Sequence, residues 1–305
     1  MRSHPAQKAL PIAKGLTDVG YSERFACRLI GLNRATYRLQ KTRAPSNQEI
    51  RRLLLTDVIK ELHYASRGTY GKRRMRAALL HERGLIVNGK LIAKLMQQAG
   101  IHGLPTPKKG RRNLHHVPTA TDLVNRNFSA SAPNRLWLTD VTEHNTREGT
   151  LYCCVVLDQY SRRVVGWAID RHNDASLVSS ALTMAARERA ISIETICHSD
   201  QGSNFTSWSF TQNLKHYKIL ASMGTVGDCF DNAPMESFWG SMQIELLNRK
   251  KWMTYVELAT AIADYIENFY NPSRRHSSLG YLTPVEFEAL PSRINPASTL
   301  IAVGQ

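Results

Sequence analysis

The 305-residue sequence lacks the features that mark disulfide-rich, zinc-binding or membrane-spanning proteins. Its five cysteines are odd in number and form no CxxC pair, which argues against a disulfide framework and against a zinc ribbon. No apolar run approaches the roughly 18 residues that a membrane helix needs, and the first residues show no apolar stretch typical of a secretion signal. There is also no internal repeat and no low-complexity tract. These absences predict a folded protein of the reducing cytoplasm without a membrane partner.

Positive charge is present in excess, and all of the excess lies in the first part of the chain. Residues 1–130 contain 25 Lys and Arg against 7 Asp and Glu, a net charge of +18. Residues 131–305 contain 15 against 18, a net charge of −3. This asymmetry predicts an N-terminal region that meets a polyanion and a near-neutral domain with another task. A solvated basic face, or a contact with RNA, is the alternative explanation.

The first 45 residues carry signals for two short helices. Residues 21–40 are broken near Gly31, and Asn33 is placed to cap the second helix. The pattern is typical of a helix-turn-helix and equally of a generic helical hairpin.

Three further helices are predicted within residues 46–104. Residues 48–64 show apolar positions at helical spacing, a second helix runs from after Gly71 to Gly84, and a third lies between Asn88 and Gly100. The second helix is strongly basic, which predicts a compact DNA-binding domain whose phosphate contacts come from Lys72, Arg73, Arg74 and Arg76. A merely solvated helix face is the alternative.

The composition changes twice after this domain. Residues 105–132 are poor in apolar residues and read as a basic linker, with Lys108, Lys109, Arg111 and Arg112 as further expected DNA contacts. From residue 135 three strand-like runs precede an alternation of helix and strand, which predicts a mixed sheet with helices on its faces. The predicted strands are 136–141, 151–158, 162–170, 193–199 and 219–223, and the predicted helices are 174–190, 207–217 and one that begins near 232. Residues 133–290 would form this core, and 291–305 a tail.

Three carboxylates lie where these strands end or a helix begins. Asp140 falls inside the first strand, Asp200 directly follows the fourth, and Glu236 falls in the first turns of the long helix, after Pro234. Each acid has a structural alternative: a turn hydrogen bond for Asp140, an Asx turn for Asp200, and a favourable helix N-terminus for Glu236.

Together the three acids predict a metal site. A cluster of carboxylates repels itself but becomes favourable around divalent cations. Oxygen ligands without a nearby His and Cys set point to Mg²⁺ or Mn²⁺ rather than Zn²⁺. Two such ions support phosphoryl transfer, because one activates the attacking oxygen and the other stabilises the leaving oxygen.

The motifs around these acids resemble those of insertion-sequence transposases of the IS-three family, which are relatives of retroviral integrases. The D,D(35)E signature is matched by Asp140, Asp200 and Glu236, with 35 residues between the last two. The flanking strings Trp-x-x-Asp, His-Ser-Asp-Gln-Gly-Ser and Asp-Asn-Ala-x-x-Glu-Ser-Phe match as well, and so do the family's ending and its Tyr-Gly-Lys-Arg-Arg segment. The likeness covers roughly residues 20 to 290.

The resemblance implies a ribonuclease-H-like catalytic core behind an all-α helix-turn-helix-type DNA-binding region. It further implies hydrolysis at the ends of the element to free a 3′-OH, and attack of that hydroxyl on another phosphodiester. The expected partners are terminal inverted repeats, target DNA, further copies of the chain on that DNA, and an upstream-frame helix-turn-helix and leucine-zipper protein, either separate or fused by frameshifting. The expected location is the cytoplasm, at the nucleoid.

Several side chains near the acids have an expected but less defined role. The family usually carries Lys or Arg where this chain has Gln243, which can still hydrogen-bond a phosphate. His198 is either a residue that orients the metal-binding acids or a buried structural histidine, and Asn232 and Asn204 are candidates for positioning the acids. Trp137 and Trp239 are expected in the core or along the DNA channel.

Two rival functions stay open on the sequence alone. One is a catalytically silent DNA-binding regulator, against which the intact acidic triad argues. The other is a ribonuclease-H-fold nuclease that cuts without joining.

Overall fold

The computed structural model describes residues 5–105, 130–191, 194–223 and 233–290. The chain divides into two compact units, Met1–Val58 and Ile59–Gln305. The helices before the sheet are α1 Pro5–Asp18, α2 Glu23–Leu29, α3 Arg34–Thr42, α4 Asn47–Ala65, α5 Lys72–Arg83 and α6 Gly89–Gln98. The four basic linker residues Lys108, Lys109, Arg111 and Arg112 lie outside the described residues.

The first unit is built on three short helices around a small core. Cys27, Leu32 and Tyr37 are buried with Ala13 of α1. The turn between α2 and α3 uses Gly31 at φ +67°, a conformation that glycine adopts without strain. The Asn33 side chain accepts from the amide of Ala35 and so begins α3 as its sequence position predicts. No helix was predicted over α1, which carries Pro11 in its interior.

Helices α5 and α6 begin and end where the glycines and Asn88 predict. Gly84 takes the left-handed conformation after α5, and Asn88 accepts from the amide of Lys90 at the start of α6. The inner face of α5 is buried at Met75, Ala78 and Leu79, whereas Lys72, Arg73 and Arg76 are exposed.

The second unit contains a five-stranded mixed sheet. Its strands are β1 Leu136–Thr146, β2 Gly149–Asp158, β3 Val164–Asp170, β4 Ile196–Ser199 and β5 Leu220–Met223. Their order is β3-β2-β1-β4-β5, with β1, β2 and β3 antiparallel and with β4 and β5 parallel to β1. This is the mixed five-stranded sheet of a ribonuclease-H-like core, as the resemblance implied. Strand β1 extends to Thr146, five residues beyond the predicted end, because its outer half pairs with β2 through a hairpin.

Helices cover both faces of the sheet. They are α7 Ala175–Glu188, α8 Trp208–His216, α9 Ala233–Glu245, α10 Tyr255–Asp264 and α11 Pro284–Glu288, with a π-helical turn at Tyr265–Tyr270 and short 3-10 turns at Leu247–Arg249 and Ser277–Leu279. Side chains alternate between faces along a strand, so Leu136 and Leu138 of β1 pack with α9, whereas Trp137 packs with α7 and α8. Asp140 has the same parity as Leu138 and therefore points to the side of the sheet that α9 covers.

In the part of the chain that the structure describes, no helix is both long and apolar enough to cross a membrane.

Candidate active site

Two of the three acids are brought together by the pairing of β1 with β4. These parallel strands align Leu138 with His198, so that Asp140 and Asp200 each stand two residues further along. Paired strands lie about 4.8 Å apart, so the two acids lie next to each other at the same end of these two strands. Asp140 is partly buried and Asp200, beyond the end of β4, is exposed.

The third acid is supplied by α9. Glu236 lies in the first turn of this helix and is exposed, while Met235, Phe238 and Met242 of the same helix are buried against the sheet. One turn after Glu236, the indole Nε1 of Trp239 donates a hydrogen bond of 3.0 Å to Oδ2 of Asp140. This contact links Asp140 of β1 to α9, the helix that carries Glu236.

The electrostatics of Asp140 show that the three acids interact. The pKa of Asp140 is raised to about 6, chiefly by burial and also by repulsion from Asp200 and Glu236. The amide of Val141, which donates to Oδ1 at 2.8 Å, and the indole of Trp239 act in the opposite direction. The ionised form of Asp140 is therefore unfavourable unless a nearby positive charge compensates it.

The loop after β4 holds Asp200 through its own backbone. The amide of Gly202 donates to Oδ1 of Asp200 at 3.0 Å, which is the Asx-type turn that the sequence allowed. Nearby, the amide nitrogen of Asn204 donates to the side-chain oxygen of Asn173. Asn204 therefore braces this loop, and no contact of its side chain with Asp200 is seen among these hydrogen bonds.

The remaining candidates beside the acids occupy different places. His198 is buried in β4, where its Nδ1 lies 3.0 Å from the hydroxyl of Ser222 on β5. Trp137 is fully buried in the core between the sheet and α7. Asn232 lies outside the described residues. Trp239 is the residue whose contact with Asp140 the sequence did not reveal, because an indole near a helix start carries no distinctive pattern.

The acids suit a hard divalent cation in their chemistry, although the present arrangement is open. Among the residues that the structure describes, no three His, Cys, Asp or Glu side chains are grouped tightly enough to hold a metal ion as they stand. The donor set is nonetheless carboxylate only, and the mutual repulsion felt by Asp140 is the property that a bound cation would relieve.

The basic residues of α5 differ in what they contact. Lys72, Arg73 and Arg76 are exposed. Arg74 is half-buried, and its Nη1 lies 3.0 Å from Oε1 of Glu245 near the end of α9. Gln243, also on α9, donates to the side-chain oxygen of Asn248 at 2.6 Å.

Most of the chain matches models of known protein families. Residues 130–229 and 217–284 match models of the integrase core domain, and residues 49–109 match an HTH-like domain. The transposase for insertion sequence element IS904 of Lactococcus lactis subsp. lactis (strain IL1403) is 35% identical over 252 residues, which is 81% of this chain and 98% of that protein. A 31 kDa protein of insertion element IS600 from Shigella sonnei is 34% identical, covering 86% and 96%. Transposase InsF for insertion sequence IS3A of Escherichia coli (strain K12) is 31% identical, covering 88% and 94%.

The sheet order and the matched domains define the class of protein, which is that of the DDE-type polynucleotidyl transferases. In this chain an integrase core follows a helical domain of the DNA-binding type. The chain belongs to the IS-three family of insertion-sequence transposases, which its similarity over nearly the full length of these relatives establishes. Among solved structures, the catalytic core domain of HTLV-2 integrase is 19% identical with a TM-score of 0.39, covering 52% of this chain and 97% of that one.

Proposed function

We propose that the chain cuts DNA at the ends of its element and joins the freed 3′-OH to another phosphodiester, with Asp140, Asp200 and Glu236 as the catalytic residues. The observation that carries this proposal is Asp140, whose pKa is raised to about 6 by burial and by the two other acids at the junction of β1, β4 and α9. Such a destabilised acid is typical of a functional site, because burial beside other acids raises the free energy of the ionised form.

The three acids are also the proposed ligands of two divalent ions, Mg²⁺ or Mn²⁺. When bound, such ions activate the attacking oxygen and stabilise the charge on the leaving oxygen. The protein's own contribution is to hold Asp140 in place through the amide of Val141 and the indole of Trp239, and to supply the two exposed acids from the loop after β4 and the first turn of α9.

In each of the two chemical steps one bond to phosphorus forms and one bond to phosphorus breaks. In the first, a water oxygen attacks phosphorus, the bond to the 3′-oxygen breaks, and the 3′-oxygen takes a proton. In the second, that 3′-oxygen loses its proton and attacks another phosphorus, and the displaced oxygen takes a proton. No covalent intermediate with the protein is needed, so no Ser or Tyr nucleophile is assigned.

Binding of DNA is assigned to the basic surface of the N-terminal part. The exposed residues Lys72, Arg73 and Arg76 are proposed to contact phosphates, which supply affinity without sequence choice. The proposed domains are a helix-turn-helix-type segment 1–45, a basic domain 46–104, a linker 105–132 with its four basic residues, a catalytic core 133–290 and a tail 291–305. Assembly of several copies on DNA, with the upstream-frame protein as a further partner, belongs to the same proposal.

A strand-transfer assay tests the proposal. The purified chain is incubated with Mg²⁺ and labelled duplexes that carry the terminal repeats of its own element, and cut and joined products are separated on a denaturing gel. Metal-dependent nicks together with joined products are expected. Asp140→Asn, Asp200→Asn and Glu236→Gln should each abolish both products while the affinity for the duplex stays within about threefold.

The other outcomes assign the rival functions. Nicks without joined products would identify a nuclease, and binding without any metal-dependent product would identify a regulator. If one of the three variants keeps near-normal turnover, that residue is not catalytic. Gel-shift stoichiometry on the same duplexes, with and without the upstream-frame protein, measures the proposed assembly.

A further inference from the structure

A buried charge cluster lies at the far end of the helix that carries Glu236. Glu245, in the last turn of α9, is 7% exposed and accepts four hydrogen bonds. Its Oε1 receives Nη1 of Arg74 at 3.0 Å and Nη2 of Arg274 at 2.9 Å, and its Oε2 receives Nε of Arg274 at 2.7 Å and the hydroxyl of Tyr265 at 2.9 Å. Every acceptor direction of this carboxylate is therefore used within the protein.

The cluster connects three parts of the unit. Arg74 belongs to α5, the helix proposed to bind DNA, and Glu245 belongs to α9. Arg274 follows the π-helical turn and also donates to Ser241, one turn before Glu245, at 2.8 Å. The neighbouring Arg275 carries the connection back to α5, because its guanidinium donates to Glu82 at 2.9 and 3.1 Å.

α9 is thus fixed at two points. Near its start the indole of Trp239 binds Asp140, and at its end Glu245 is held by Arg74 and Arg274. Glu236 and Glu245 are nine residues apart, a distance of about 13 Å along an α-helix. A tilt of about 5° at the Glu245 end would move the Glu236 end by about 1 Å, and a misplacement of that size is enough to slow an enzyme by about a hundredfold.

We propose that the Arg74–Glu245 contact positions α9, and with it Glu236, relative to the DNA-binding helix α5. In this proposal Glu245 and Arg74 are positioning residues: Arg74 acts through Glu245 and not by binding a phosphate. Its neighbours Arg73 and Arg76 lie on the exposed face of α5, where DNA can reach them. The inference rests on the proposed function of α5 and Glu236.

A comparison of Arg74→Ala with Arg73→Ala tests the proposal in the full chain. Both variants remove one arginine from α5, but the Arg73 side chain is exposed whereas that of Arg74 pairs with Glu245. Loss of a phosphate contact should weaken binding to the terminal-repeat duplex and reduce the salt dependence of binding by about one ion, which is the expectation for Arg73→Ala. Arg74→Ala should leave the salt dependence unchanged. Its single-turnover cleavage rate at saturating DNA should fall at least tenfold below that of Arg73→Ala, and Arg74→Lys should recover most of the loss.

Two further measurements complement the rate comparison, and the second of them does not depend on activity. Tyr265→Phe removes a donor to Glu245 without changing the DNA-binding surface, and it should lower the same rate with unchanged DNA affinity. Hydrogen exchange of the α9 backbone amides should be faster in Arg74→Ala than in Arg73→Ala.

The proposal is overturned if Arg74→Ala reduces the salt dependence by about one ion and leaves the saturated rate unchanged, because Arg74 would then be a phosphate contact. Equal exchange of α9 in the two variants also overturns it. If the wild-type chain shows no metal-dependent cleavage, the proposed function fails instead, and the exchange comparison still decides whether Arg74 holds α9.

Discussion

Replacing Asp140 by Asn should stabilise the metal-free protein while abolishing its chemistry. The pKa of Asp140 is raised from 3.8 to about 6, first by burial and then by Asp200 and Glu236. Because the pKa is higher in the folded state than in the unfolded state, the ionised carboxylate opposes folding. The penalty is absent below the unfolded pKa and complete above about pH 6.

The size of the effect follows from the shift. A difference of about two units corresponds to about 3 kcal/mol of stability lost above pH 7. Asn has one acceptor oxygen, so either the amide of Val141 or the indole of Trp239 loses its partner, at a cost of about 1–2 kcal/mol. The expected net gain for Asp140→Asn at pH 8 is therefore about 1–2 kcal/mol.

The pH dependence isolates the electrostatic part, since the hydrogen-bond loss is similar at every pH. Between pH 8 and pH 4.5 the advantage of Asp140→Asn over the wild type should shrink by about 2 kcal/mol, or about 4–8 °C in Tm. Thermal unfolding in EDTA at the two pH values measures it. Mg²⁺ at pH 8 should stabilise the wild type more than the variant, because the ion binds the folded carboxylates. A stability difference that does not change with pH would refute the account of Asp140 as a repelled, buried acid.

Three other substitutions test separate parts of the structure. Trp239→Phe removes the donor to Asp140 and keeps an aromatic ring, so strand cleavage should slow at least tenfold in single-turnover assays. The Kd for the terminal duplex, measured by gel shift, should stay unchanged. An unchanged cleavage rate would contradict the positioning of Asp140 by Trp239. Gly166→Ala would bring a Cβ against the carbonyl oxygen of Ala181 and should cost about 1–3 kcal/mol in urea unfolding. Gly89→Ala, with open space around its Cβ, should not destabilise the chain. Gln243→Lys adds a cation where the family usually has one, so the salt dependence of DNA binding should rise by about one ion, and an unchanged slope would show that this position does not meet a phosphate.

Local chemistry explains which parts of the fold could be predicted from sequence. The ends of α3, α5 and α6 lie where expected because a cap is made by residues two or three apart, such as Asn33 and Ala35. Periodicity identified the five strands because it depends on each segment alone. Helix α1 was not predicted, since Pro11 in its interior is a signal against a helix and only the packing of Ala13 against Cys27 and Tyr37 reveals why it forms.

Long-range contacts account for what the sequence left undetermined in the site. Arg74 appears in the sequence as one of four equivalent basic residues, and its partner Glu245 lies 171 residues further on. The bond between Trp239 and Asp140 spans 99 residues. Neither contact leaves a periodic or spacing signature, because each depends on how α9 is placed on the sheet. The sequence alone was enough to propose the three acids as the site, whereas the groups that contact Asp140 and Glu245 are visible only in the structure.

The 35-residue interval between Asp200 and Glu236 has a physical basis in the topology. After Asp200 the chain enters α8, which connects β4 to the neighbouring parallel strand β5, and α9 begins on the face of the sheet that Asp140 occupies. α8 and β5 account for nine and four residues of this interval. By contrast, the interval between Asp140 and Asp200 includes a hairpin, β3 and α7, whose lengths are not constrained by the acids because the pairing of β1 with β4 alone brings the two together. The spacing of Asp200 and Glu236 therefore depends on where α9 begins, a demand that strand pairing does not make on the spacing of Asp140 and Asp200.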